Sequence, residues 1–490
     1  MIKKYLIFAV LIIAVFLRTY RASVLTGFYF DQGRDAKIIW DLIHNHKFFM
    51  IGPTTGIEGI FLGPFYYYLI SPFYLLGGGN PVFPAVGLAL ICVAGIWIIY
   101  KIASDYFTQS AGIISAVLIT FSLEMVQSNR WLSNPTPLYL SSALAVLLLL
   151  KIIHKSERGL VWFCFGLILG LSLQFEAASA VFFLPATLII LLIFRKDVVW
   201  QTKNVVHTLF AFLITLLPQI IFDLRHGNIL FLAFYRFLLS EKSFLPSGAD
   251  FYPVRLAFYF DSFFHKFTLE KTPAIIIAVF LCISFILVYR LLPKKPINTL
   301  LIWVITPLVI LLFYRGNYGY IWSYYFTGVF FVFMLITGTV LDSLLKIRPK
   351  FITRILVGVF IIYFVSWNSY HLYHYLIARP DGETAIMLGS SLAAVDWVYQ
   401  DAGSQPFNVD VYVPPVITHS YDYLFLWRGN TKYAKQPDPN IQPRLYTLYE
   451  ADPPHPERLE AWQKRQAGYA QIETSTRFGG IGVDRRLRFK

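Results

Sequence analysis

The run "YLIFAVLIIAVFLRTY" (Tyr5–Tyr20) is followed after a short link by "FYFDQGRDAKIIWDLI" (Phe28–Ile43). With its flanks, the first stretch is apolar and long enough to cross a bilayer. The second places Asp31, Arg34, Asp35, Lys37 and Asp41 within eleven positions. Ionisable groups beside a membrane are expensive and mark functional sites by default. The pair of stretches therefore predicts a first membrane span that opens into a charged, functional loop.

Composition agrees. The 490 residues are 57% hydrophobic, 18% aromatic and 14% charged, against about a quarter charged in soluble chains. The net charge of +14 lies wholly in residues 1–371, which hold 29 basic and 15 acidic residues; residues 372–490 hold 13 of each. Such a basic membrane half reflects positively charged cytoplasmic loops, so nucleic acid is not an expected partner. Cys92, Cys164 and Cys282 all fall in apolar runs and suggest no disulfide framework. The start resembles a signal peptide, but "RTYRAS" is a poor cleavage site, so the first span is expected to be retained.

Apolar runs predict about eleven spans, at 5–22, 81–101, 111–128, 135–153, 160–175, 177–194, 204–222, 273–290, 299–314, 323–341 and 354–371. Basic clusters fall at alternate ends, including Lys3/Lys4, Arg195/Lys196, Arg290/Lys294/Lys295 and Lys346/Arg348. The positive-inside rule then puts the N-terminus in the cytoplasm and the C-terminal segment outside, in a plasma or inner membrane. Two long outer connections, 23–80 and 223–272, are aromatic and amphipathic, as interfacial helices are. The expected fold is mostly α: a transmembrane domain over 1–371 and a small extracytoplasmic α/β domain over 372–490. In the tail, "TAIMLGSSLAAVDWVYQDAG" and "PERLEAWQKRQ" read as helices, and "FNVDVYVP", "RLYTLYE", "AQIETSTRF" and "IGVDRRLRF" as strands.

The outer ends of the spans share one face, and polar groups gather there. They are Asp31, Arg34, Asp35, Glu58, Arg130, Asn134, Gln174, Glu176, the "FDLRHG" group Asp223, Arg225 and His226, and Arg315. A carboxylate facing a hydroxyl can act as general base. Arginines hold a phosphate by paired hydrogen bonds and stabilise it as it leaves. Together they suit sugar transfer from a lipid-phosphate donor, with Asp31 and Asp35 as candidate catalytic acids. Structural readings of the same residues stay open. Asp31 also suits a helix cap, Arg34 a partner for either acid, Asp223 and Arg225 an ion pair at a helix end, and Arg130 and Arg315 interfacial anchors. No HxxxH, CxxC, GxGxxG or Walker-type loop stands out.

In this order, the elements resemble the GT-C superfamily of membrane glycosyltransferases, nearest to its aminoarabinose-transferase and protein-mannosyltransferase-like branch. The motifs are "FDQGRDA" after the first span, "HKFFMIGPTTG" (His46–Gly56), "GPFYYYLISPFYLLGG" (Gly63–Gly78), "NRWLSNPTP" (Asn129–Pro137) and "PQIIFDLRHG" (Pro218–Gly227). The resemblance covers about residues 1–370. It implies an outward-facing cavity and inverting transfer from a polyprenyl-phosphate sugar to a glycan, lipid or protein acceptor, with Asp31 at the position of the essential first-loop acid. Two departures matter. The second acid of the family's pair is Gln32 here, which leaves Asp35 to take its place. The lysine preceding the family's Pro-aromatic segment is missing from "FLGPF" (Phe61–Phe65), which leaves phosphate contact to an arginine. The family divides on metal dependence, so the cofactor stays unassigned and a divalent cation is one option. The rival readings are a surface-polysaccharide ligase or polymerase, a lipid-linked-sugar transporter, and a membrane-anchored binding protein working through its tail.

Overall fold

The computed structural model describes residues 2–240, 251–316, 319–378, 382, 384–414 and 417–489. The stretch 241–250, inside the second long connection, lies outside the described residues. All eleven apolar runs are helical. They comprise α1 (Ile2–Thr19), α5 (Val82–Tyr106), α6 (Gln109–Phe121) with α7 (Leu123–Asn129), α8 (Leu138–Ile153), α9 (Gly159–Phe175), α10 (Ala177–Ala180) with α11 (Phe183–Ile193), and α12 (Thr202–Arg225). They continue with α15 (Lys271–Val288), α16 (Lys294–Phe313), α17 (Thr327–Leu344) and α18 (Lys350–Tyr373). Among the described residues, six helices are long and apolar enough to cross a membrane alone; a seventh crossing would be the pair α6 and α7, bent by 71°. The other four runs form shorter apolar helices.

Their packing follows from side-chain size. Helix α17 is the central post, apolar and buried on nearly all sides. Helix α12 instead presents Leu209, Phe210, Leu213 and Leu217 outward, a face that suits lipid. Gly166 and Gly170 of α9 form a G-x-x-x-G face against Thr208 and Thr215 of α12, where a Cβ at either glycine would meet backbone or hydroxyl oxygen. The break between α6 and α7 frees carbonyls, and buried Arg18 takes them up. Its Nη2 donates to Ile119 O at 2.9 Å and its Nε to Asn129 Oδ1 at 3.0 Å.

The first long connection folds into α2 (Ala22–Leu25), α3 (Phe30–Asn45) and α4 (Phe65–Leu76), with a short hairpin bridged at Thr54 and Phe61 between the last two. The second contributes α13 (Ile229–Ser240) and α14 (Phe251–Phe264). The tail is α19 (Leu388–Ala402), β1 (Asn408–Tyr412), α20 (His419–Arg428), β2 (Arg444–Glu450), α21 (Pro456–Ala467), β3 (Ala470–Phe478) and β4 (Ile481–Arg488). Its sheet runs β1-β2-β4-β3, with only β1 and β2 parallel. Helix α19 starts at Leu388, after the expected Thr384.

The tail packs on the first connection. Leu388 N donates to Thr26 O, Trp427 Nε1 to Gly78 O at 2.9 Å and Tyr423 OH to Gly79 O. Tyr421, Tyr423 and Trp427 are buried, and Tyr423 rests among Phe28, Trp40 and Tyr74. These rings are core.

Candidate active site

Helix α3 sets the site. Its first turn closes when Gln32 Oε1 accepts from Tyr29 N at 3.0 Å, the side-chain half of a capping box. Gln32 Nε2 reaches Leu132 O at 3.0 Å. The residue standing where a second acid was expected is therefore a buried tether between two outer loops. Asp31 lies in the same first turn, where the helix dipole favours an anion.

Helical spacing brings Asp31, Arg34 and Asp35 together. Arg34 Nη1 lies 2.7 Å from Asp31 Oδ1, and its Nη2 lies 2.8 Å from Asp35 Oδ1. Tyr67 of α4 donates to the same Asp35 oxygen at 2.9 Å. The two carboxylates differ in exposure: the Asp31 side chain is 46% exposed and that of Asp35 6%. Burial pushes the Asp35 carboxyl up to about 6, against the pull of Arg34 and Tyr67. Asp35 is thus occupied in holding Arg34. Asp31 Oδ2 has no hydrogen bond among the described residues.

A second acid faces the same region. Asn134 Nδ2 donates to Glu176 Oε2 at 3.0 Å, and Glu176 Oε1 accepts from Ala178 N at 3.0 Å. Burial pushes the Glu176 carboxyl up to about 7. Gln174 caps α4 by accepting from Phe65 N at 3.1 Å. Tyr324 lies within electrostatic reach of both Glu176 and Asp31, and so joins the two groups.

The remaining candidates are spread out. Arg130 is buried; its Nη1 donates to Leu17 O and Tyr20 O, its Nε and Nη2 meet the hydrogen-bond geometry with no group among the described residues, and its guanidinium lies 5.7 Å from the Tyr375 ring centroid. Asp223 caps α13 by accepting from Leu230 N at 2.7 Å. His226 is exposed, stacks on Phe222 and bonds its carbonyl, and Arg225 is exposed at the end of α12. Glu58 is exposed in the hairpin, and Arg315 is half-buried in the loop after α16.

Two charged residues escaped the sequence reading. Lys266, 4% exposed, pairs with Glu124 at 3.0 Å and sits 4.3 Å above the Phe330 ring. They line a cavity of about 110 Å³ with Ser128, Trp131, Tyr139 and Tyr324. Each was visible as a lone charge beside an apolar run; their meeting was not. Among the described residues, no group of three or more His, Cys, Asp or Glu is placed to hold a metal ion.

The architecture is that of a polytopic membrane protein. Residues 62–222 match the family model of the dolichyl-phosphate-mannose-protein mannosyltransferases. The fold is similar to that of ArnT from Cupriavidus metallidurans bound to undecaprenyl phosphate. The TM-score is 0.61 at 13% identity, over 98% of this chain and 97% of that one. The apo state of the same protein gives 0.60 at 12% identity, with the same coverage. The oligosaccharyltransferase of Archaeoglobus fulgidus gives 0.49 at 13% identity, over 91% of this chain and 68% of that one. No curated protein gives a significant sequence match.

Proposed function

We propose that the chain is an inverting glycosyltransferase that moves a hexosyl or pentosyl group from a polyprenyl-phosphate donor to an acceptor on the outer face of the plasma membrane. The acceptor is a glycan, lipid or protein hydroxyl. The observation that carries this reading is the state of Asp31: half-exposed, its Oδ1 fixed by Arg34, its Oδ2 open. In the step, Oδ2 takes the acceptor proton, and the acceptor oxygen attacks the anomeric carbon. The bond from that carbon to the phosphate oxygen breaks, and the phosphate leaves with the electron pair. Asp35 and Tyr67 position Arg34 and make no contact with substrate. Lys266, beside Tyr324, supplies positive charge for the donor phosphate together with Arg315. Glu176 and Asn134 face the sugar. The bonded groups Asp223 and His226 serve the helix ends first.

The orientation follows the basic loops, with the N-terminus cytoplasmic and residues 372–490 outside above the site. The test is Asp31→Asn expressed in a strain lacking the protein, with surface glycans read by mass spectrometry and folding by thermal melt. Loss of the transferred sugar with an unchanged melt supports the proposal. Near-normal transfer removes Asp31 from the mechanism.

A further inference from the structure

A cavity lies in a groove between α11 and α16, lined by none of the residues grouped around Asp31. Its volume is about 480 Å³, within the roughly 300–1,000 Å³ of ligand sites. The walls are aliphatic, with Ile189, Ile193, Ile302, Ile305 and Val309 among them. Thr306 adds no open polar group, because its hydroxyl donates to Ile302 O at 2.7 Å. Polarity enters only at the lip, where Tyr289 OH donates to Asn298 Oδ1 at 3.0 Å.

Cations gather at that lip. Arg195 and Lys196 directly follow α11, Arg290 follows Tyr289, and Lys294 begins α16; all four are exposed. The Lys294 ammonium sits 3.7 Å from the Tyr289 ring centroid. Lys295 and Asp197 bridge the two sides of the mouth at 2.5 Å, so the lip keeps an excess of four positive charges. Exposed Trp200 donates to Arg195 O at 3.0 Å, at the level where indoles anchor to a membrane interface.

Depth selects the occupant. From Asn298 to Ile310 the groove follows α16 for about 18 Å at 1.5 Å per residue, close to one leaflet of a hydrocarbon core about 30 Å thick. An isoprenoid carrier is longer than one leaflet, and the donor site proposed above lies beyond the other end of α16. A single acyl chain under an anionic headgroup matches the depth, the aliphatic walls and the basic lip together.

We infer that the groove between α11 and α16 is a binding site for an anionic glycerophospholipid of the leaflet opposite the active site. Its headgroup meets Arg290 and Lys294, and one acyl chain lies along Ile302 and Ile305. This site is independent of the proposed transfer reaction.

Native mass spectrometry of the full chain tests it, with titration of phosphatidylglycerol, phosphatidylethanolamine of the same chains, and undecaprenyl phosphate. Phosphatidylglycerol should be preferred over phosphatidylethanolamine by roughly tenfold, from the charge attraction of several cations at a membrane surface. The double variant R290A/K294A should lose that preference with its melt unchanged. Ile305→Trp, which fills an exposed part of the groove, should lose both phospholipids. Equal binding of the two phospholipids, a double variant that keeps the preference, or displacement of phosphatidylglycerol by undecaprenyl phosphate would each overturn the inference.

Discussion

Gly33 on α3 meets the backbone of His419 at the start of α20, so closely that a Cβ on Gly33 would overlap the His419 carbonyl and the Ser420 nitrogen. Backbone cannot swing aside as the end of a side chain can. Gly33→Ala should therefore cost about 1–3 kcal/mol through overpacking. The full chain should melt earlier, and limited proteolysis should cut sooner near residue 419. Because Gly33 sits between Asp31 and Arg34, transfer should also fall. An unchanged melt would show that the tail does not clamp α3.

Asp31, Arg34 and Asp35 could be grouped from the sequence because helical spacing puts them on one side of α3. Strand β2 matches its reading residue for residue and helix α21 starts where it was read and runs one residue further, because the alternation of "RLYTLYE" and the proline opening "PERLEAWQKRQ" are local signals. Helix α20 has no such signal. Tyr421, Tyr423, Leu424, Phe425 and Trp427 are all buried, so it has no clear polar face to mark a 3.6-residue period. Lys266 and Glu124 stand 142 positions apart, and only tertiary packing brings them together. Gln32 is a different case: its place was legible, but its work as a tether depends on Leu132, in a loop one hundred positions away.

Tyr67→Phe removes one hydrogen bond from the buried Asp35 carboxylate. Bonds to charged groups contribute about 1.5–3 kcal/mol, and the melt should drop accordingly. Tyr67 also pulls the Asp35 carboxyl down from where burial would push it. Without the hydroxyl, Asp35 should protonate above pH 6 and release Arg34 nearer to neutrality. The acid limb of the transfer rate should move to higher pH in the variant. An identical pH profile would separate Asp35 from the positioning of Arg34.

Lys266→Met keeps the length of the buried side chain and removes its charge. If Lys266 meets the donor phosphate, the KM for donor should rise by roughly tenfold to a hundredfold, with a smaller change in kcat. The Glu124 side chain, already 34% exposed, can turn to water, so the melt should change little. A kcat loss at constant KM would instead place Lys266 at the reacting atoms.

Glu450 ends β2 beneath α20, 8% exposed, and accepts from Tyr421 OH at 2.9 Å. Burial pushes its carboxyl up to about 7, while Tyr421 pulls it down. In the unfolded chain the group ionises near its ordinary 4.5. Between those values the folded state holds more protons than the unfolded one, so stability falls as pH rises through this window. The loss reaches up to about 3 kcal/mol above pH 7. Glu450→Gln keeps an acceptor for Tyr421 and carries no charge. It should raise the melt relative to the unsubstituted chain at pH 8, and the gain should vanish near pH 4.5. A variant that gains nothing at pH 8, or gains equally at both pH values, would show that the carboxylate is relieved of its burial cost in some other way.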